Sequence, residues 1–201
     1  GSGEGALKLE VAVPFDDAPA RVIGEYRFLN AALRDPDTGT VVEALDGPVR
    51  FDERGVRDGQ LRGRFLGGDA TLVASQEQGR LVMHGQGRLT SDGLGAVLGP
   101  RLAPQLSGMA DWRATWRAHK GAGSLQAELG LQGLKMRLPA PLNFPDGLPV
   151  EKLTLKTESA AGDSHILTLN AGDRMNGWLA CQRQAGGWLF SGGRIAFGDA
   201  Q

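Results

Sequence analysis

The chain has 201 residues, 41% of them apolar and 6% aromatic, and its 22 basic and 23 acidic residues leave a formal net charge of -1. So even a balance gives no electrostatic footprint for nucleic acid or an anionic membrane surface, and a lone cysteine, Cys181, excludes an internal disulfide and a cysteine zinc cluster while leaving the compartment open. The 31 glycines are about twice the usual ~7% share, which points to many short strands and tight turns.

Gly1-Ser2-Gly3 reads as a cloning or cleavage scar ahead of a single β domain or segment over 4–201, so the chain is expected to be an excised piece. No stretch approaches the roughly 18 consecutive apolar residues of a membrane-spanning helix, and no signal-peptide pattern is present. If the parent protein is anchored or exported, the signal is therefore expected outside these residues.

Leu7, Leu9, Val11 and Val13 share one face against Lys8 and Glu10, the two-residue period of a strand with one dry side, and Pro14 stops the ladder. The run from Arg21 to Leu33 is β-compatible but mixed in phase. Asp35-Pro36-Asp37-Thr38-Gly39 is a turn; it carries the first oxygens of a calcium loop but lacks the third donor and the later glutamate. Val49 and Phe51 predict a short strand and Leu61 to Phe65 another, and Gly67-Gly68-Asp69 turns into Ala70, Leu72 and Ala74. Leu81, Met83 and Leu89 then mark a strand with Arg80, His84 and Arg88 opposite. The run 91–100 starts with a capping residue and an apolar stretch, but its glycines limit it to a helical turn or two.

The clearest pattern follows. From Asp111 to His119 the even positions are apolar and the odd ones polar or charged. After a turn at Gly121-Ala122-Gly123 the alternation resumes with Leu125, Ala127, Leu129 and Leu131 against Gln126, Glu128 and Gln132. Past Gly133 the apolar residues become Leu134, Met136 and Leu138, a change of phase by one residue that a β-bulge at a glycine would produce. Leu153/Leu155, His165/Leu167/Leu169, Met175 to Cys181 and Trp188 to Phe197 complete the strands, with turns at Gly162-Asp163, Asp173 and Gly186-Gly187. A dozen or so strands without βαβ alternation predict an all-β, mostly antiparallel curved sheet, shaped as a trough (taco-like) or as a sandwich, with one or two short helical segments.

Candidate chemistry is sparse. His84, His119 and His165 are far apart and have no partner at metal-ligand spacing. No serine sits in a Gly-x-Ser-x-Gly elbow, Cys181 has only Arg183 as a nearby cation, and neither Gly63-x-x-x-Gly67-Gly68 nor Gly85-x-Gly87 leads into the Lys-Ser/Thr and helix of a phosphate loop. The expectation is a chain with no catalytic residue, metal or cofactor. Trp112, Trp116, Trp178 and Trp188 either pack a core or line a greasy groove.

Leu106-Ser107-Gly108-x-Ala110-Asp111-Trp112-Arg113-Ala114-Thr115, followed by Leu129-x-Leu131-x-Gly133-Leu134 and then Leu138-Pro139-Ala140-Pro141-Leu142, resembles the C-terminal part of YhdP-like proteins of the AsmA-like superfamily in Gram-negative bacteria. Arg64-Phe65-Leu66-Gly67-Gly68-Asp69-Ala70 is similar to a strand turn of that family, and Gly187-Trp188 with Gly193-Arg194-Ile195-Ala196-Phe197-Gly198 to its closing strand. The likeness spans roughly Phe51 to Gly198.

That resemblance implies a segment of a periplasmic, inner-membrane-anchored bridge-like protein that carries phospholipid between the inner and outer membranes. It implies no enzyme activity. Its partners would be phospholipid acyl chains and flanking β segments of the full-length protein, with possible end-to-end self-association. The residues expected to line the lipid groove are Trp112, Ala114, Trp116, Leu125, Leu129, Leu131, Leu134, Met136, Leu153, Leu155, Leu167 and Leu169. The alternative is a periplasmic structural or assembly scaffold, a closed β sandwich that binds protein partners through its edge strands.

Overall fold

The computed structural model describes residues 1–15, 21–34, 41–100, 103–119, 122–137, 151–159, 164–184 and 187–198. The first six strands are β1 (Ser2–Ala12), β2 (Arg21–Arg34), β3 (Val41–Asp52), β4 (Gly55–Phe65), β5 (Gly68–Glu77) and β6 (Arg80–Thr90). A helix, α1 (Ser91–Leu98), and a 3₁₀ turn at Ala103–Gln105 lead into β7 (Leu106–His119), β8 (Ala122–Gly130) and β9 (Leu134–Met136). The last strands are β10 (Lys152–Ser159), β11 (Ser164–Ala171), β12 (Met175–Gln184) and β13 (Gly187–Phe197). Apart from β9, which pairs with β7, they lie side by side in chain order from β1 to β13. Every pairing between these strands is antiparallel.

The fold is all-β, as the alternation requires, and of the two shapes expected it is the open sheet. Among the described residues β1 and β13 do not pair with each other. The accessible surface of 13666 Å² is about half as large again as the ~9,000 Å² of a compact protein of 21.2 kDa. Ser2 and Gly3 lie in β1, where Ser2 pairs with Ala32.

Bulges account for the mixed phase between Arg21 and Leu33. Register shifts between Phe28 and Ala31 and again before Leu33, and Asn30 there takes a positive φ of 48°. Its neighbours shift at the same level, β1 between Ser2 and Glu4 and β3 between Glu43 and Asp46, where Ala44 has a φ of 49°. Asp46 Oδ1 accepts the Asn30 N–H at 3.1 Å. Bulges aligned across three strands flip the phase together and increase the local bend. The predicted slip at Gly133 is present as well: Trp112 pairs with Leu129, but Gly108 pairs with Leu134, and the Met109 N–H donates to the Gly133 carbonyl at 3.0 Å.

The predicted helical segment forms where expected. Thr90 caps α1 by accepting the Gly93 N–H on Oγ1 at 3.1 Å, and its own N–H donates to the Leu66 carbonyl at 3.0 Å. A Cβ on Gly93 would collide with that carbonyl, so glycine lets the helix sit flush on the turn between β4 and β5. Leu94 then packs on the driest part of the molecule, a cluster of Leu89, Ala110, Leu131, Leu134 and Ala171. Trp112 closes one side of it, edge-on to Phe65 with ring centroids 5.4 Å apart and lying over Gly85, where a Cβ would come within 2.9 Å of the ring. The indole Nε1 is buried there without a hydrogen-bond partner. The Asp35 to Gly39 turn, Gly162-Asp163 and the Leu138 to Leu142 element fall outside the described residues.

Substitutions at four positions check this packing by equilibrium denaturation. Thr90→Ala should cost about 1 kcal/mol, with Thr90→Ser close to the parent. Gly108 has a φ of 98° and no room for a Cβ beside the Gly133 carbonyl, so Gly108→Ala should cost about 1–3 kcal/mol; Gly192→Ala, with open space around it, should stay within about 0.5 kcal/mol. Trp112→Phe keeps an aromatic ring there and removes the orphaned donor, so its loss should be about 1–2 kcal/mol against about 3–5 for Trp112→Ala.

Candidate functional site: an apolar sheet face

In an antiparallel pair, residues opposite one another project to the same side, so register decides whether the dry faces of successive strands join. Here they do. Leu7 pairs with Tyr26, Tyr26 with Val49, Val49 with Gly59, Gly59 with Ala74, and Ala74 with Met83. The line continues through Trp116, Leu125, Thr157, Leu167, Leu179 and Gly193. One unbroken row thus crosses the sheet from β1 to β13, about 50 Å at roughly 4.8 Å per strand. Thr157 is its one hydroxyl other than that of Tyr26, and its Oγ1 is occupied by the Leu125 N–H at 3.2 Å.

The residues expected to line a groove lie on this face. Trp112, Ala114 and Trp116 on β7 oppose Leu129, Ala127 and Leu125 on β8. Leu129 opposes Leu153 and Ala127 opposes Leu155, which in turn faces Leu169; Leu167 faces Leu179. Leu131 and Leu134 are buried, and Met136 packs against them. The face extends well beyond that set, through Phe28, Leu61, Phe65, Leu72 and Met83 in the first half and Met175, Leu179 and Ile195 in the last strands. Alternation in β1 and β6 signals part of this extension, whereas the bulges of β2 and β3 hide the rest.

Large side chains pave the floor where neighbours are small. Tyr26 occupies the space a Cβ of Gly5 would need, and Phe51 does the same over Gly24. The outer face is polar by comparison. Arg50 bridges Glu25 and Asp58 at 3.2 Å each, Arg88 bridges Asp111 at 3.2 Å, and Lys152 bridges Glu128 at 3.2 Å. His84 lies there too, its Nδ1 3.1 Å from Thr115 Oγ1. Trp178 sits on this outer side at 46% exposure, opposite Thr168 and Arg194, so it is not part of the apolar row. The side chains of His119, Arg183 and Trp188 fall outside the described residues. Cys181 is buried, its thiol donating to the His165 carbonyl at 3.5 Å, and burial pushes its pKa up, which keeps it neutral. Among the described residues no three His, Cys, Asp or Glu side chains group to hold a metal, and no helix is long and apolar enough to cross a membrane.

Searches of curated proteins and of solved structures return no match. Against protein families the chain matches the one described as YhdP protein over residues 1–201, further than the stretch on which the motif likeness rests. With the match running the length of the sequence, this open β sheet with its continuous apolar face belongs to the YhdP family.

Proposed function

We propose that the chain is a non-enzymatic segment of a bridge-like periplasmic protein, anchored in the inner membrane outside these residues, that carries phospholipid between the inner and outer membranes along its apolar face. The observation that carries this reading is the apolar row running across the sheet from β1 to β13 with no second protein layer over it among the described residues. Family membership supports the lipid-transport class. The physical need is a barrier: drawing two acyl chains, on the order of 30 methylenes, into water costs roughly 20 kcal/mol at ~0.8 kcal/mol each. A continuous apolar floor keeps those chains dry while headgroups stay in water at the rim, so movement becomes sliding rather than desorption. No nucleophile, metal or nucleotide is needed for that.

The sheet ends at β1 and β13, each with one unpaired side among the described residues and with apolar side chains at the margin: Leu9 is 51% exposed and Phe197 40%. Free edges of this kind pair with further strands. Flanking β segments of the longer protein would extend both the ladder and the floor, and in their absence a second copy can take their place. A closed-sandwich scaffold, by contrast, needs a second sheet to cover the apolar face.

Two measurements test this reading. Native mass spectrometry and solvent extraction of freshly purified protein should find bound phospholipid; protein that carries none, and takes none from vesicles of phosphatidylethanolamine and phosphatidylglycerol, counts against it. In sedimentation velocity the chain should associate as concentration rises, and Leu9→Lys together with Phe197→Lys should shift it toward monomer. A species that stays monomeric throughout would mean that the edges are self-sufficient.

A further inference from the structure

Resting on the lipid reading, we infer that the apolar face is divided along its strands into a dry structural band beside α1 and a separate acyl-chain track through Met83, Trp116, Leu125 and Leu167. Burial draws the boundary. Leu89, Leu131 and Leu134 are 4%, 6% and 7% exposed, sealed by Leu94 of α1 and by Met136 of β9, and no acyl chain can reach them without displacing those elements. Met83, Trp116, Leu125 and Leu167 occupy the same face of β6, β7, β8 and β11 but are only part-buried, and they lie on the row that crosses the sheet, with Thr157 of β10 between the last two. Trp112 stands between the two zones: it packs on the cluster on one side and reaches over Gly85 and against Phe65 on the other.

The occupant of the track is hydrocarbon rather than a lone extended protein segment. A lone extended segment laid on this row would bring unpaired backbone N–H and C=O groups over a central stretch whose side chains are apolar except for the Thr157 hydroxyl, which accepts the Leu125 N–H. Acyl chains bring no such groups. The row also runs from edge strand to edge strand, which suits a file of chains moving along it, whereas the α1 cluster ends within the sheet.

The test leaves the protein unmutated at first. The chain is loaded from phosphatidylethanolamine and phosphatidylglycerol vesicles doped with a phospholipid carrying a diazirine on its acyl chain, irradiated, and mapped by tandem mass spectrometry. Adducts should concentrate at Met83, Trp116, Leu125 and Leu167, at least tenfold over Leu89, Leu131 and Leu134. Comparable labelling of both zones, or labelling centred on Leu131 and Leu134, overturns the division while leaving lipid carriage intact; no adduct on the apolar face overturns carriage as well. Variants then separate the roles. Leu125→Asp and Leu167→Asp should lose bound lipid about tenfold with strand circular dichroism retained, and Leu134→Ala should lower Tm with the lipid load unchanged. Loss of lipid in Leu134→Ala at a temperature where its circular dichroism matches the parent overturns the division.

Discussion

The rest of the molecule depends on antiparallel register. A strand's two-residue period makes one dry side, but only register sets the dry sides of twelve neighbouring strands against one another, and here the pairing carries an apolar line from Leu7 to Gly193. A slip of one residue at any pairing would turn the following apolar residues to the charged side. The bulges are placed so that this does not happen: where β2 shifts phase at Asn30, β1 and β3 shift with it. Exposed ion pairs on the outer face contribute little to stability, about 0–1 kcal/mol each, but they keep that side wetted and so fix which side the apolar residues share.

Much of this was legible in the sequence. Alternation from Asp111 to His119 identifies the face of β7 without ambiguity, the phase change past Gly133 locates a bulge, and the glycine-rich run after Thr90 becomes a helix of two turns. Other features were not. Asn30 and Ala44 adopt positive φ, which asparagine tolerates without requiring and alanine rarely adopts, so β2 and β3 look disordered in phase although their apolar residues meet. Leu125 and Leu131 belong to the same alternating run and cannot be told apart by pattern. Their difference in burial comes from α1 and β9 folding over one end of the strands, a tertiary event.

Glycine has two distinct uses in this sheet. At Gly93 and Gly108 it permits close approach of backbone, to the Leu66 and Gly133 carbonyls respectively. At Gly5, Gly24 and Gly85 it gives up surface to an aromatic ring on the next strand, Tyr26, Phe51 or Trp112. The second use turns a pleated floor into a smoother one and explains how a chain with only 6% aromatic residues covers so much of one face.

Nearly every strand touches just its neighbours in chain order, which makes the sheet quasi-one-dimensional, as in repeat proteins. Contacts are therefore short in sequence, loop closure is inexpensive, and hairpins can add one at a time to whatever has already formed. Cooperativity should be correspondingly uneven. β1, exposed along its whole length, can fray while the strands around Leu89 and Leu131 stay folded, so a lesion in one hairpin is contained locally and an unfolding transition followed by two probes need not coincide.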